Sequence, residues 1–456
     1  MQATDQPGPI AALLAEIDGV PAILDPTIVR RRSRDFFWYS PILNAQLAGK
    51  SAEVVVTPRN EEEVIRVARA CVRHGAALTP RGGGTGNYGQ AVPLQRGVLI
   101  DFSAMDKILS SRPGVARVEP GARMHDIDAA LRPSGWELRM HPSTKRTATI
   151  GGFVAGGSGG VGSITYGGLR DPGNIVAARI VTMEREPRVI ELRGDAAQKI
   201  NRAFGTTGLI TALEMPLAPA WPWIDVIVAF DDFSKAVEAG LRIARADGVV
   251  KKLVSAITWP IPQDFRELRR FCPDGKSLLI AMVAEPSLES FRAVLAGHGA
   301  ITYEAPCLEG AGETPLYEYC WNHTTLHMLK RDRGVTYLQC LFPHDRLLPL
   351  VARMAATFGD EVLHHLEFSR YAGDVTASAL PIVRYTSPER LNEIIAAYEE
   401  AGVMIANPHV FTLEDGSRYR RADADQFGFK TEVDPYGLLN PGKMRSFAPA
   451  KWEAAP

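Results

Sequence analysis

Hydrophobic positions change their spacing several times along the chain, and each change predicts an element. A short apolar run at 54–57 ends at Pro58 and predicts a buried strand. Asn60 then precedes Glu61, Glu62 and Glu63, with Val64, Ile65, Val67, Ala68 and Cys71 at helical spacing as far as His74-Gly75. A capping side chain and acids in the first turn predict a helix starting there. Runs at 77–80, 98–101 and 115–119 predict further strands, 125–131 a helix, and 175–183, 189–192 and 208–215 strands again. Pro216, Pro219 and Pro222 interrupt this pattern, which places a domain boundary within 215–223. Beyond it, strand and helix patterns alternate (224–230, 234–246, 278–284, 287–297), as expected of a sheet with helices on one face. Residues 1–50 read as a helical segment broken by Pro and Arg, and the chain turns polar from 407. The resulting division is 1–50, 51–219, 220–406 and 407–456.

Two glycine-dense stretches stand between predicted strands: Pro80-Arg81-Gly82-Gly83-Gly84-Thr85-Gly86-Asn87, and Thr149-Ile150-Gly151-Gly152 continuing through Gly156-Gly157-Ser158-Gly159-Gly160 to Gly162-Ser163-Ile164. Such density marks backbone at positive φ, or backbone lying directly against a ligand. Three chemistries fit in part. Gly84–Gly89 satisfies G-x-G-x-x-G, but a Rossmann site needs a helix opening inside the motif, and Gln90-Ala91-Val92-Pro93 follows instead. Gly156–Gly160 matches G-x-S-x-G with Ser158 as nucleophile, but that elbow needs a strand before it and a helix after it, and the residues that follow predict no helix. The third reading uses both stretches: consecutive main-chain N–H groups form a nest for the diphosphate of a large cofactor. It accounts for both stretches together.

Composition narrows the class. The chain has 456 residues, 46% hydrophobic and 23% charged, with a net charge of −1, as in a soluble globular protein of two or three domains. No basic surplus suggests nucleic acid, and no apolar run reaches membrane length. Arg30-Arg31-Arg32 with Arg34 reads as a solvated helix end; no apolar segment follows to make an export signal. Five cysteines without a C-x-x-C pair argue against structural zinc and disulfides, and fit a reducing cytoplasm.

Several motifs fall in one order: 80–86, Val118-Glu119-Pro120-Gly121, His141-Pro142-Ser143-Thr144, Ile150–Gly152, Tyr166-Gly167, Gly208-Leu209-Ile210-Thr211 and Asn440-Pro441-Gly442-Lys443. Together they resemble the FAD-linked oxidases of the vanillyl-alcohol oxidase/p-cresol methylhydroxylase (PCMH) type, closest in texture to glycolate oxidase flavin subunits and D-lactate dehydrogenases. The resemblance implies an α+β fold: a two-subdomain PCMH-type FAD-binding domain at 51–219, a cap or substrate domain at 220–406 with an antiparallel sheet covered by helices, and a tail at 407–456 returning to the FAD domain. It implies that 81–86 face the pyrophosphate, flanked by Pro80 and Asn87. Pro142, Ser143 and Thr144, with Thr149 to Gly152 and Gly156 to Ile164, would line the ribityl chain and ring. Gly208 and Ile210 would hold the adenine end, and Asn440 and Lys443 the pyrimidine side. Thr85 stands where covalent members carry His, and no Cys lies between Cys71 and Cys272, so the FAD is expected to be non-covalent. The metal-binding His–Gly–Asp–Gly–Asn–His type segment of some relatives is missing; Tyr371-Ala372-Gly373-Asp374 lacks both histidines, and no metal is expected.

The activity implied is hydride transfer from a small alcohol, 2-hydroxy acid or phenolic substrate to FAD, with oxygen, a quinone or a redox partner as acceptor. A homodimer is compatible with this, and non-redox flavin chemistry of the ether-lipid synthase type is the alternative. A base is often needed for the substrate's proton, and histidine titrates in the right range. His323 and His327 stand at i, i+4 on one predicted helix face, open to catalysis, packing or metal binding. His365 and Glu367 alternate on a predicted strand, and His409 precedes the tail. Arg331 and Arg384 are candidates to clamp a carboxylate, and Tyr319 and Trp321 to wall an aromatic substrate.

Overall fold

The computed structural model describes residues 9–157, 159–310, 312–416 and 424–453. The sheets follow the change of texture. Val54–Val56, Val98–Asp101 and Leu78–Arg81 run parallel, with Ala22–Ile23 antiparallel at one edge. Helix Glu61–Arg73 covers this sheet; Glu63 N–H donates to Asn60 Oδ1 at 2.9 Å, and Val64, Val67, Ala68 and Cys71 are buried. A six-stranded antiparallel sheet follows, centred on the long strand Leu209–Pro219.

The third sheet begins with Trp223–Phe230. Its eight strands are antiparallel, running from Ala300–Pro306 at one edge through Lys251–Ile257, His365–Tyr371 and Asp374–Ala379 to Cys340–Leu341 and Met404–Ile405. Alternation along Trp223–Phe230 divides two cores. Val226, Val228 and Phe230 pack with residues of the helices Phe233–Arg245, Leu288–Leu295, Leu347–Phe358 and Pro388–Glu400. Ile227 and Ala229 face the opposite side, where Tyr317, Tyr319 and Tyr337 are fully buried. A small sheet of Val335–Tyr337, Ile382–Arg384 and Val362–Leu363 completes this half.

Ion pairs join the two halves. Lys252 Nζ lies 2.6 Å from Glu137 Oε1, and Lys145 Nζ lies 2.8 Å from both Asp128 Oδ2 and Glu309 Oε1. The tail closes back on the first sheet: Leu78 N–H donates to Leu438 O, and Asn440 N–H to Leu78 O, each at 2.8 Å. No helix among the described residues is long and apolar enough to cross a membrane.

Candidate active site

The first glycine stretch leaves strand Leu78–Arg81 and runs into turns, with no helix before Val98–Asp101. Its tightness comes from what presses on it. A Cβ at Gly82 would lie 2.1 Å from Thr149 Oγ1, and one at Gly83 would lie 2.2 Å from Thr147 O. The two glycine stretches therefore pack on each other through bare backbone. Beneath the loop, Lys443 Nζ donates to Gly89 O at 2.6 Å, and Asn440 Nδ2 donates to Gln90 O and Phe204 O at 2.9 and 2.6 Å. Asp35 accepts from Phe37 N–H at 3.0 Å, and Phe36 N–H donates to Gly86 O at 2.8 Å. Burial pushes the Asp35 carboxyl above its ordinary range and the Lys443 ammonium below its own.

The second stretch departs from the sequence expectation. It opens a helix, Ile150–Gly156, with Thr149 Oγ1 accepting from Gly152 N–H at 3.3 Å, and a short helix Ser163–Tyr166 follows. A cap residue, together with Ile150, Phe153 and Val154 in the core, outweighs the low helix propensity of glycine. Gly152, Ala155 and Gly156 are the less buried positions of this helix, with Ala155 still packed against that core. The carbonyls of Val154 and Ala155 accept from Arg202 N–H and Phe204 N–H at 3.1 and 3.0 Å. Arg202 and Phe204 both adopt positive φ, 53° and 50°.

These parts enclose a cavity of about 490 Å³. Of the expected cofactor residues, Pro80, Arg81, Gly82, Gly83, Gly84, Thr85, Gly86, Asn87, Pro142, Ser143, Thr144, Thr149, Gly151, Gly152, Gly156, Gly157, Gly159, Ser163, Gly208 and Ile210 line it. Six others do not. Ile150 and Ile164 are core residues. Gly160 and Gly162 admit the segment 139–141 instead, since a Cβ on them would meet His141 O and Arg139 O at 2.3 and 2.1 Å. Asn440 and Lys443 brace the first loop from behind. Ser158, the nucleophile of the hydrolase reading, lies outside the described residues.

The opposite wall comes from the large sheet and the loop before helix Asn322–Arg331. It presents Trp321, Asn322, Gln339, Cys340, Leu341, Ser369, Arg370, Tyr371, Ser378, Leu380, Met404 and Ile405. Only Trp321 of these was singled out from sequence. Strand alternation was the available signal for the others: Ser369 and Tyr371 continue the face that carries His365 and Glu367.

The proposed bases are elsewhere, and no histidine among the described residues lines the cavity. His323 Nδ1 sits 3.2 Å from Glu318 O, and the His327 ring stacks on Tyr319 at 4.7 Å. His409 bridges Ser40 Oγ at 2.7 Å and Tyr337 O at 2.9 Å. Burial pushes His323, His327 and His409 down to about 4, so they stay neutral as packing groups. His365 and Glu367 are fully buried behind the wall, Nε2 to Oε1 at 2.7 Å. Tyr319 donates to Glu267 at 2.8 Å, Arg331 pairs with Asp264 at 2.6 Å, and Arg384 Nε donates to Asp360 O at 2.9 Å; none of the three reaches the cavity. Instead Arg81, Arg170, Arg202 and Arg370 line it, against Asp35 and Asp171. The described residues hold no cluster of three or more metal-ligating groups.

The cavity suits a large phosphate-bearing cofactor by two observations. A Cβ at Gly156 would meet nothing within 4 Å, so this cavity-lining helix position is bare for no reason that the protein supplies. Buried polar atoms of three lining residues, Arg81 Nε, Trp321 Nε1 and Asn322 Oδ1, also lack any hydrogen-bond partner.

Known proteins supply the cofactor's identity. Residues 52–187 match a family described as FAD binding domain, and they form such a domain here. A 212-residue stretch is 30% identical to an uncharacterized FAD-linked oxidoreductase of Mycobacterium tuberculosis, covering 44% of this chain and 45% of that protein. The glycolate oxidase subunit GlcD of Escherichia coli is 30% identical over 209 residues, 43% of this chain and 41% of its own. The matched stretch thus spans less than half the length of these relatives. A D-lactate dehydrogenase of Archaeoglobus fulgidus is 28% identical over 433 residues, 87% of this chain and 93% of that one. The fold as a whole is that of alkyldihydroxyacetonephosphate synthase, with a TM-score of 0.72 at 18% identity over 96% of this chain and 86% of that structure.

Proposed function

We propose that this protein is an FAD-dependent oxidoreductase that removes a hydride from the hydroxyl-bearing carbon of a small 2-hydroxy acid, with its FAD held non-covalently. The single observation that carries the reading is the pairing of walls in one cavity. Glycine backbone of the FAD-binding domain forms one side, and Arg370 among the hydroxyls of Ser369, Tyr371 and Ser378 stands on the other. Two of the relatives bear names that denote 2-hydroxy acids, glycolate and D-lactate.

Bound FAD supplies the two-electron acceptor. The chain's own residues bind and orient. Arg370 offers a planar guanidinium to the substrate carboxylate, with Arg170 of the FAD side as a second cation. Leu341, Leu380, Met404 and Ile405 form an apolar wall for the rest of the substrate and exclude water from it. In this reading 220–406 acts as the substrate domain over 51–219, and 407–456 returns to brace the cofactor loop.

Anaerobic titration of the purified holoprotein tests it. Glycolate, D-lactate and larger 2-hydroxy acids should bleach the oxidised flavin bands, whereas simple alcohols and phenolic alcohols should not. Bleaching by phenolic alcohols alone would overturn the substrate class, and a flavin that stays oxidised throughout would favour non-redox chemistry. Acid precipitation should leave FAD in the supernatant.

A further inference from the structure

Cap residue Trp321 has a backbone conformation that residues with a side chain rarely adopt, with φ 52° and ψ −139°. Such strain persists only where the surroundings impose it. Here the imposing group is visible. Glu367 is fully buried, and its Oε1 accepts from Trp321 N–H at 2.6 Å. The same oxygen accepts from Ser255 Oγ–H at 3.1 Å and lies 2.7 Å from His365 Nε2. All three contacts fall on Oε1, and together they hold that oxygen against the Trp321 amide.

The consequence is at the cavity. Trp321 and Asn322 both line it, and both keep a buried polar atom without a partner: the indole Nε1–H and the amide Oδ1. The indole edge also reaches the second glycine stretch, where a Cβ on Gly159 would lie 3.6 Å from Trp321 Cη2. A strained loop therefore brings an indole ring, a free donor and a free acceptor to the wall of the FAD domain. An unmet donor and acceptor in a buried site are each destabilising until a ligand satisfies them.

We propose that Trp321 and Asn322 are the cap's direct contacts to the bound flavin, and that Glu367, locked by His365 and Ser255, is the positioning residue that presents them. The proposal rests on FAD occupying the cavity but not on the substrate class. It assigns the cap a part in holding the cofactor, where the motifs had pointed to the FAD domain and the tail alone.

The test uses holoprotein flavin fluorescence and FAD affinity of the apoprotein, neither of which needs turnover. An indole against the ring quenches flavin emission, so Trp321→Phe should raise it severalfold and weaken FAD binding about tenfold, equivalent to about 1.4 kcal/mol. Glu367→Gln keeps the side chain's shape and should raise emission while Trp321 is still present. In the double variant Glu367→Gln should add nothing to Trp321→Phe, because its effect acts through that side chain. Unchanged emission and FAD affinity in Trp321→Phe would overturn the contact, including the case in which only KM rises. Additive effects in the double variant would overturn the positioning role. Loss of bleaching by hydroxy acids with these results intact would sink the substrate assignment alone.

Discussion

The two walls of the cavity are built on opposite principles. The FAD-domain wall is floored by main chain: glycines at 82–84, 151–152 and 156–157 bring backbone against backbone and against the ligand space, with side chains such as Arg81, Ser143, Arg170 and Arg202 around them. The cap wall is side chain, with Trp321, Asn322, Ser369, Arg370, Tyr371 and Ser378 set on strands and a helix start. Main chain recognises what all FAD molecules share, whereas side chains can be exchanged from one substrate to another. The comparison teaches that glycine has two separate roles here, as spacer between protein segments and as floor for the ligand.

Two glycine substitutions separate those roles, and they give the largest effects. At Gly83 a Cβ would meet the backbone of Thr147, with O at 2.2 Å and C at 3.2 Å, and backbone cannot step aside. Gly83→Ala should lose soluble folded protein, or fold with several kcal/mol less stability and no FAD. At Gly156 the same Cβ meets no protein atom. Gly156→Ala should leave the apoprotein as stable or about 0.5–1 kcal/mol more stable, because Ala suits a helix better. Its FAD affinity should nevertheless fall at least tenfold, since the methyl would occupy ligand space. Thermal melting of apo and holo forms checks both, and a Gly156→Ala protein with wild-type FAD affinity would erase the distinction.

The same contrast explains what the sequence made legible. Glycine density in the FAD-domain wall carries its meaning in one dimension, so the stretches at 82–86 and 151–157 could be found without a fold, although the second forms a helix. Ile150, Gly160, Gly162 and Ile164 were placed with them by proximity along the chain, but a helix and a contact with 139–141 turn those residues inward. Asn440 and Lys443 were expected at the pyrimidine side of the flavin, but they hold the first loop from its reverse side. The cap wall was scarcely legible, because its residues come from 321, 339–341, 369–371, 378 and 404–405 and converge only through strand pairing. Histidine drew attention by chemistry, yet burial among aromatic rings gives His327 and His409 packing roles that no spacing rule reveals. Arg331 and Arg384 already have carboxylate or carbonyl partners, whereas of the cavity's arginines only Arg81 stands in a motif.

The cap wall can be probed at Arg370. Its Nε donates to Ile164 O at 3.2 Å, while its terminal nitrogens make only long contacts, to Gly373 O at 3.4 Å and Asp247 at 3.5 Å. Most of its donors therefore remain for a ligand. Arg370→Met keeps the apolar stem and removes the charge. It should raise KM for a 2-hydroxy acid by about tenfold to a hundredfold, the loss expected of a charged hydrogen bond of roughly 1.5–3 kcal/mol. Flavin content should be unchanged. A substitution that instead strips FAD would assign Arg370 to the cofactor and blur the division between the walls.

The smallest effect concerns the displaced histidines. Burial holds His323, His327, His364 and His409 at about 4, below the ordinary value near 6.5. The unfolded chain therefore binds more protons than the folded one between those values. Their neutral packing is fully stable above about pH 6.5, and stability falls as pH drops toward 4. Melting temperature should decline over that window, and His409→Gln should flatten the decline by about one proton's worth of slope. Flavin reduction should behave differently. Because no histidine among the described residues lines the cavity, the rate of bleaching per folded molecule should show no ionisation from these four between pH 6 and 8. A rate that followed a group near 6.5 and lost that dependence in His327→Phe would bring histidine back to the chemistry and make the cap more than a binding wall.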